Sequence, residues 1–307
     1  MERSVPMSTV TNYDEGQYNY ADYWRDRTYE QRADLLALSE MLRVGGHGWI
    51  ADLGSGYRRL APVYAGTNRP VLFVDYSFSL LRQAQAQYGP PSPARQYVAA
   101  NLNYLPIRSG SVATCLLIRV MHHLPSYRRV LREVTRIGQS EWIIDVPQKL
   151  HALGRARALV RGRYRALHDE APINLSHRPD RVFLNYHPAV IRRELERLGW
   201  RADTERSVSN FRAAWLTEHL HAKRLMVIER WAQPWLASLR FGPNIWIALS
   251  RSGVLTPIPD WNHLFACPRC GGDLELASFQ QLGCSACGEH FTQQDGVWDL
   301  RWPRPAP

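Results

Sequence analysis

Cysteine is scarce in this chain, and its placement argues against a disulfide-bonded fold. The 307 residues contain five cysteines, and four of them form two close pairs near the C-terminus. Small secreted proteins held together by disulfides carry many more cysteines per residue. Two CxxC pairs instead indicate metal binding in a reducing compartment.

Long apolar runs and acidic residues are also in short supply. No stretch approaches the roughly 20 apolar residues of a transmembrane helix, and the polar N-terminus lacks the apolar region of a signal peptide. We therefore expect a cytoplasmic protein. The 28 Asp and Glu residues are outnumbered by 38 Lys and Arg residues, which gives a net charge of +10. This excess favours an anionic partner or surface.

A glycine-rich turn lacks the third glycine of a dinucleotide site. An apolar strand carries Asp52 and leads into Gly54 and Gly56, but Arg59 occupies the third glycine position. Asp52 would repel a pyrophosphate and attract a cationic ligand. The next strand ends at Asp75, which is placed to accept hydrogen bonds from ribose hydroxyls. The pattern predicts a nucleoside pocket for a phosphate-free cation such as S-adenosylmethionine.

Three further segments resemble the class I S-adenosylmethionine-dependent methyltransferases. They are residues 100–106 (ANLNYLP), 109–111 (SGS) and 114–124 (TCLLIRVMHHL), and they are similar to the group with an "LPF-dGSFD" stretch before a strand that ends in "HHL". The resemblance covers about residues 49–136. It implies a cofactor pocket with these members: Asp52, Gly54 and Gly56 near the methionine, Asp75 on the ribose, and Asn101 and Leu102 beside the adenine.

Three positions depart from the pattern of that family. Arg58 replaces the last glycine of the turn, Asn101 replaces an aspartate, and Ala113 replaces the acid that follows "GSF". The resemblance implies methyl transfer from S-adenosylmethionine. The alternative from another functional class is a non-catalytic methyltransferase fold that serves as a binding module.

Alternating strands and helices predict a doubly wound, seven-stranded Rossmann-like α/β sheet, whose last strand is antiparallel in the resembling family. The expected strands lie near residues 48–53, 71–75, 95–99, 113–119, 141–146, 201–208 and 243–250. We divide the chain into an aromatic segment at 1–30, a methyltransferase domain at 31–255 and a zinc ribbon at 262–303. The aromatic segment either covers the cofactor or packs its first helix on the sheet.

Two helical cap insertions interrupt this plan, at about 147–183 and 211–240. In the first, Arg157, Arg161 and Arg165 are spaced four apart, which predicts that they share one helical face. This face is either a solvated surface or a basic lid that could bind RNA. In the second insertion, Trp215, Trp231 and Trp235 are expected to pack against that lid, and a wall of the substrate site is the alternative.

The C-terminal cysteines match a structural zinc site. Cys267, Cys270, Cys284 and Cys287 supply four thiolates, so a tetrahedral zinc ion would have no open position for catalysis. The surrounding sequence resembles the small zinc-binding activator subunit of tRNA, rRNA and protein methyltransferases, here fused to the enzyme. The resemblance implies that the ribbon stabilises the domain or shapes its acceptor site. An RNA-gripping ribbon is the competing role.

Candidate catalytic residues follow the fourth strand. His122 or His123 could remove a proton from the acceptor, while at least one of the two is expected to cap the strand end. Tyr186 and His187 precede a helix and could contact the acceptor or start that helix. The basic charge and the ribbon slightly favour RNA or a translation-related macromolecule as acceptor. A small molecule of the quinone, lipid or polyketide type is the alternative.

Overall fold

A computed structural model describes residues 13–14, 20–43, 46–162, 164–176, 182–252, 257 and 259–304. The strands are β1 (Ile50–Leu53), β2 (Val71–Asp75), β3 (Arg95–Ala99), β4 (Val112–Leu117), β5 (Gly138–Pro147), β6 (Ile173–Asn174), β7 (Leu184–Asn185), β8 (Arg201–Val208), β9 (Asn244–Ser250), β10 (Leu274–Ser278), β11 (Gln281–Cys284), β12 (His290–Gln294) and β13 (Val297–Asp299). The helices are α1 (Tyr20–Arg25), α2 (Thr28–Met41), α3 (Ala61–Tyr64), α4 (Phe78–Tyr88), α5 (Tyr127–Ile137), α6 (Ala152–Val160), α7 (Arg165–His168), α8 (Pro188–Arg197), α9 (Ala214–His219) and α10 (Ala222–Ser238).

Seven of these strands form the sheet that the sequence predicts. They lie in the order β3-β2-β1-β4-β5-β9-β8. Strands β1 to β5 run parallel, and β9 is antiparallel to both of its neighbours. The predicted doubly wound fold is confirmed. The strand order reverses between β1 and β4, and the carboxyl ends of strands at such a reversal form a ligand-binding crevice.

The central strands are continuous apolar runs because helices cover both faces of the sheet. Every residue of β1, β2 and β4 is buried. On one face α5 packs Val130, Leu131 and Val134 against the sheet. On the other face α2 contributes Ala37 and Leu38. This two-sided core fixes the carboxyl ends of the strands, where the candidate site lies.

The C-terminal strands continue the same sheet. β13 pairs in parallel with β3, with Trp298 opposite Val98, and β12, β11 and β10 follow in antiparallel order. Trp298 and Leu300 belong to the main core, and Trp298 Nε1 donates to Gln96 Oε1 at 3.3 Å. The ribbon thus covers the edge that β3 would otherwise expose. It extends the sheet from the seven predicted strands to eleven in the described part of the chain.

The first insertion corrects one prediction about its arginines. α6 ends at Val160, Gly162 follows with φ of +62°, and α7 begins only at Arg165. A left-handed glycine ends a helix because it turns the chain out of the helical path. Arg157 and Arg165 therefore lie on different helices. The prediction that Arg157, Arg161 and Arg165 share one helical face is wrong.

The second insertion also differs from its predicted packing. α10 lies against α2 and β8, so it belongs to the helical layer of the sheet, and only its C-terminal end meets the first insertion, where Arg155 donates to the Leu239 carbonyl. Its side chains Trp231 and Trp235 are exposed, and so is Trp215 of α9. The prediction that these tryptophans pack inside a cap is wrong, because polar residues occupy the inward face of α10. None of the described helices is long and apolar enough to cross a membrane.

Candidate active site and zinc site

The turn after β1 adopts the conformation that its glycines predict. Gly54 and Gly56 have φ of +78° and +54°, a region that strains side-chain-bearing residues. A Cβ on Gly54 would lie 2.3 Å from Cγ2 of Val120, so the turn also needs a glycine for space. The backbone amide of Gly54 donates to the Val74 carbonyl at 2.7 Å, which holds the turn against β2. Ser55 Oγ is buried there and has no hydrogen-bond partner.

Arg58 keeps the backbone shape of the glycine that it replaces. Its φ is +77°, and its Nε donates to Gln87 Oε1 at 3.1 Å on the surface. The arginine side chain therefore leaves the turn towards α4. The departure from the family pattern costs backbone strain but places no bulky group in the turn.

Asp75 meets the turn, as the sequence predicts. Its Oδ2 accepts a hydrogen bond from the Gly56 amide at 2.8 Å, and its Oδ1 accepts one from the Ser77 amide at 2.9 Å. Each carboxylate oxygen has a second lone pair for a hydroxyl donor. Burial raises the pKa of Asp75 to about 6, although the backbone amides of Ser77 and Gly56 favour the ionised form. Asp75 is therefore mostly ionised at neutral pH and can accept two hydroxyl hydrogens.

Asp52 lies beneath the turn. It is 2% exposed, and the hydroxyl of Tyr64 on α3 donates to its Oδ2 at 2.6 Å. Burial raises the pKa of Asp52 to about 6, partly offset by the Tyr64 hydrogen bond and the charge of Arg59. The carboxylate is thus buried near the turn and ties it to α3. A direct contact between Asp52 and a methionine moiety stays a prediction.

Asn101 and Leu102 begin a short 3-10 turn after β3, at the same edge of the sheet as Asp75. The side-chain oxygen of Asn101 accepts from the backbone amide of Asn103 at 3.0 Å, which caps the turn. Leu102 is half-buried behind it. The amide of Asn101 therefore organises the loop where the resemblance implies an adenine ring. Their contact with adenine stays a prediction.

A buried ion-pair network supports the site, and no sequence pattern predicts it. Asp34 of α2 is fully buried and pairs with Arg59 at 2.8 Å and with Arg119 at 2.7 Å. Arg119 follows β4, has φ of +61°, and donates its backbone amide to Asp145 at 3.2 Å. The Arg59 guanidinium also lies 3.9 Å from the ring centre of Trp24. The network ties α1, α2, the glycine turn and the end of β4 together.

Tyr13 and Asp14 are the described part of the N-terminal aromatic segment before α1. Asp14 accepts hydrogen bonds from the Phe78 and Ser79 amides at 2.9 and 3.0 Å, at the start of α4. The Tyr13 hydroxyl lies 3.3 Å from Nε2 of His123. These two residues lie at the carboxyl ends of β2 and β4. Most of the aromatic segment at 1–30 lies outside the described residues, so its cover of the cofactor stays a prediction.

His122 and His123 form a small aromatic cluster with Phe183. The His122 ring lies 4.0 Å from that of His123 and 4.5 Å from that of Phe183. Burial lowers the pKa of His122 well below 6.5, and the nearby His123 and Arg119 lower it further. His122 is therefore neutral at physiological pH and can accept a proton. His123 is held from both sides, since its Nδ1 lies 3.4 Å from the Val182 carbonyl and Tyr13 faces its Nε2.

Tyr186 and His187 lie behind this cluster. Tyr186 is 2% exposed, and its hydroxyl donates to the carbonyls of Met121 and Leu124 at 3.0 and 2.7 Å. It therefore supports the histidine turn from below, and the structure gives no open surface for the predicted acceptor contact. His187 starts α8 without a side-chain cap, and its Nδ1 is buried without a hydrogen-bond partner. An acceptor contact by His187 stays a prediction.

The four predicted metal ligands converge in the ribbon. The Sγ atoms of Cys267, Cys270, Cys284 and Cys287 all lie within 4.8 Å of one another. Each CxxC pair is followed by a left-handed glycine whose amide donates to the carbonyl of the first cysteine: Gly271 to Cys267 and Gly288 to Cys284. Two such turns facing each other supply the soft, tetrahedral donor set that zinc prefers. The fifth cysteine, Cys115, is buried in β4, and burial raises the pKa of its thiol, so it is inert.

Comparison with known proteins identifies the domain that carries this turn and these acids. Residues 51–141 match the family model of the methyltransferase domain. This chain carries a methyltransferase domain. The match begins inside β1 and ends inside β5, so it includes Asp52, Asp75 and both histidines. No curated protein sequence matches the chain significantly.

Several solved structures are similar to this chain. A proposed S-adenosylmethionine-dependent methyltransferase from Listeria monocytogenes is 16% identical, with a TM-score of 0.53 over 74% of this chain and 100% of that one. A complex of the Haloferax volcanii Trm112 methyltransferase activator with a proposed methyltransferase gives 15% identity and a TM-score of 0.49 over 76% and 95%. Magnesium protoporphyrin IX methyltransferase from Synechocystis, with bound SAH, is 16% identical, with a TM-score of 0.45 over 78% of this chain and 90% of that one. Because the Listeria monocytogenes structure is only 16% identical, its similarity shows the fold of the domain and nothing further.

Proposed function

We propose that the methyltransferase domain transfers a methyl group from S-adenosylmethionine. The observation that carries this proposal is the pairing of the Gly54–Gly56 turn with the ionised carboxylate of Asp75. The residues present fit that cofactor. The Gly54–Gly56 turn presents backbone at the carboxyl end of β1, the unpaired Ser55 Oγ offers a hydrogen bond, and Asp75 can accept two ribose hydroxyls. The absence of a third glycine at Arg59 fits a ligand without phosphate.

In this function S-adenosylmethionine supplies an electrophilic methyl group on a sulfonium. The chain binds and orients the reactants. Asp75 holds the ribose, the buried Asp34–Arg119 pair fixes the end of β4, and Tyr13 limits the access of water to His123. Neutral His122 takes the proton that an acceptor hydroxyl or amine releases. His123, held by Tyr13 and the Val182 carbonyl, positions the neighbouring ring of His122. Alignment of the acceptor supplies most of the acceleration.

We further propose that the acceptor is a small, largely apolar molecule. One exposed apolar side chain contacts the His122 ring, and a second is carried by the segment paired with it. Phe183 contacts the histidine ring and is 39% exposed, and Leu175, which pairs with it through a 2.8 Å backbone hydrogen bond, is 49% exposed. An acceptor of the quinone, lipid or polyketide type would cover these surfaces. This preference reverses the slight lean of the sequence towards RNA.

RNA or a translation-related macromolecule is the second candidate acceptor. It is favoured by the basic residues between 149 and 168, a stretch with six Lys and Arg and no acid. The ribbon gives it little support, because β13 and β4 are four strands apart in the sheet. Four strand spacings amount to about 19 Å. The position of the ribbon instead supports a stabilising role, with structural zinc bound by Cys267, Cys270, Cys284 and Cys287.

Calorimetry with S-adenosylmethionine tests the cofactor. We expect wild-type protein to bind and Asp75→Ala to lose at least about tenfold in affinity, since charged hydrogen bonds contribute about 1.5–3 kcal/mol. Asp260→Ala is the matched control, because Asp260 is exposed and makes no cap hydrogen bond. If the wild-type protein binds no S-adenosylmethionine, only the non-catalytic fold remains. Equal affinities of wild type, Asp75→Ala and Asp260→Ala would contradict the role of Asp75.

Transfer of labelled methyl groups into fractionated cell extract tests the acceptor. The small-molecule proposal predicts label in the solvent-extractable fraction, resistant to ribonuclease. Label that disappears with ribonuclease treatment would establish the RNA alternative. The Asp75→Ala variant, run in parallel, controls for methyltransferases that contaminate the extract.

A further inference from the structure

α10 turns polar residues towards the protein interior and large apolar residues towards solvent, the reverse of an ordinary surface helix. Every fourth residue faces inward, and two of these are polar: Glu229 and Gln233, both 0% exposed. Tyr29 donates to Glu229 at 2.8 Å, and Gln233 donates to the carbonyl of Ala33 at 3.3 Å. These buried hydrogen bonds attach the helix to α2. Both polar side chains of the inner face therefore have hydrogen-bond partners, and the large apolar side chains of the helix are not needed there.

Those large apolar side chains point outward. Trp231 and Trp235 are 72% and 77% exposed, one turn apart, and they are flanked by Val227, Ile228 and Leu239 at 46–60%. An ordinary surface helix turns such residues towards the core. A contiguous exposed apolar face of this kind marks an interaction site.

α6 extends the same face. Leu153, Leu159 and Val160 are 54%, 50% and 88% exposed. The two helices adjoin, since Arg155 of α6 donates to the carbonyl of Leu239 and the Ala152 amide donates to Phe241 at 3.2 Å. We call the exposed apolar residues of α6 and α10 the apolar–basic surface: Leu153, Leu159, Val160, Val227, Ile228, Trp231, Trp235 and Leu239.

The charge of these segments is strongly positive. Residues 149–168 and 211–240 contain eleven Lys and Arg against two acids, a net charge of +9 within a chain of +10. One of the two acids is Glu229, which is buried and faces inward. Exposed basic side chains include Arg224 and Arg230 on α10 and Arg157 on α6. The two segments that carry the apolar–basic surface therefore have a net charge nearly as large as that of the whole chain.

We propose that the apolar–basic surface docks on an anionic lipid membrane. A helix with tryptophan and aliphatic residues on its outer face and basic residues at its sides lies in the plane of a bilayer, with its apolar face among the acyl chains. The flanking arginines and lysines add attraction to anionic headgroups. A second copy of the chain would bring like charge against like charge. RNA would engage the arginines but leaves Val227, Ile228 and Leu239 without a partner.

The proposal is tested by sedimentation with vesicles, using purified full-length protein. We expect binding to vesicles of phosphatidylcholine mixed with phosphatidylglycerol, weakened by high salt, and at least about tenfold weaker binding to phosphatidylcholine alone. The double variant Trp231→Ser/Trp235→Ser should bind mixed vesicles at least about tenfold more weakly. Phe279→Ser is the matched control, because Phe279 is 90% exposed on the ribbon, and it should bind like wild type.

Three outcomes overturn the proposal. The first is absence of binding to the mixed vesicles. The second is equal vesicle binding by the tryptophan variant and the Phe279 control. The third is a dimer in analytical ultracentrifugation, or a complex with single-stranded RNA, that the tryptophan substitutions abolish while vesicle binding persists. Cofactor affinity by calorimetry stays unchanged in these variants if docking is separate from the cofactor pocket.

Discussion

The guanidinium of Arg119 is paired with the carboxylate of Asp34, 85 residues earlier in the chain, at 2.7 Å and with Asp34 fully buried. Burial acts to lower the pKa of Arg119, but Asp34 and Asp145 outweigh burial and raise it, so the arginine stays charged. The pair holds a residue with left-handed φ three positions before His122. Fold stability and the placement of the histidines therefore depend on the same contact.

We expect Asp34→Asn to destabilise the protein severely. The change leaves the Arg59 and Arg119 guanidinium groups without their shared partner, and breaking a buried ion pair costs about 3–5 kcal/mol. Urea denaturation measures the free energy of unfolding. Glu40→Gln on the same helix is the control, since Glu40 pairs with Arg206 and Arg230 at the surface. That variant should lose at most about 1 kcal/mol. Equal losses in the two variants would contradict the role of Asp34.

The strands could be predicted because residues close together in the sequence determine them. Residues 71–75, 95–99 and 201–208 match their strands at both ends, and Asp75 meets Gly56 as expected. An apolar run between turn-forming residues determines such an element without help from distant residues. The glycine turn belongs to the same category, because its backbone shape follows from Gly54 and Gly56 themselves.

The features that could not be predicted depend on residues far apart in sequence. The inward face of α10 follows from hydrogen bonds to Tyr29 and Ala33, some 200 positions away. The Asp34 network joins four elements, and nothing local marks Asp34 as different from any helical aspartate. The expectation that the tryptophans of α10 are packed follows the rule that large apolar residues are usually buried. That rule fails for a helix whose polar residues are held by distant partners.

Binding of S-adenosylmethionine should weaken as the pH falls below about 6. The pKa of Asp75 is raised by burial to about 6, and the ribose hydroxyls need the ionised carboxylate. Affinity should fall up to about tenfold per pH unit below that value. Calorimetry between about pH 5 and 7.5 measures it. The residual binding of Asp75→Asn should not change over the same range. A wild-type affinity that is flat down to about pH 5 would contradict this role.

The free energy of unfolding of the unliganded protein should fall as the pH rises from about 4 through about 6, whereas cofactor affinity rises. Asp52, Asp75 and Asp145 all have pKa raised by burial to about 6, above the 3.8 of an unperturbed aspartate. The folded protein therefore holds these protons more tightly than the unfolded chain. Their contribution is present below about pH 4 and is lost as the pH rises through about 6. The triple substitution to Asn should flatten this part of the denaturation profile, relative to wild type.

Substitution of His122 should reduce turnover without weakening cofactor binding. If neutral His122 takes the acceptor proton, His122→Ala should lower kcat by about 10²–10⁴-fold. Because the pKa of His122 lies well below 6.5, the wild-type rate should stay flat between about pH 6.5 and 8. His123→Ala is the matched comparison and should mainly raise KM, since His123 is engaged by Tyr13 and Val182. A full rate in His122→Ala would assign the histidines a purely structural role.

Removal of zinc should loosen the cofactor pocket as well as the ribbon. The two are connected because β13 pairs with β3 and the Arg301 guanidinium lies 5.6 Å from the ring centre of Tyr76, the residue after Asp75. Structural zinc supplies about 10–16 kcal/mol of folding free energy in small metal-dependent domains, so the ribbon should not survive without it. We expect about one zinc per chain by elemental analysis, and Cys284→Ser should lose the metal, melt at a lower temperature and bind S-adenosylmethionine more weakly. Cys115→Ala removes the fifth cysteine and should keep the metal. If the metal-free protein retains wild-type cofactor affinity although its ribbon is unfolded, Arg301 and Tyr76 do not couple the two sites.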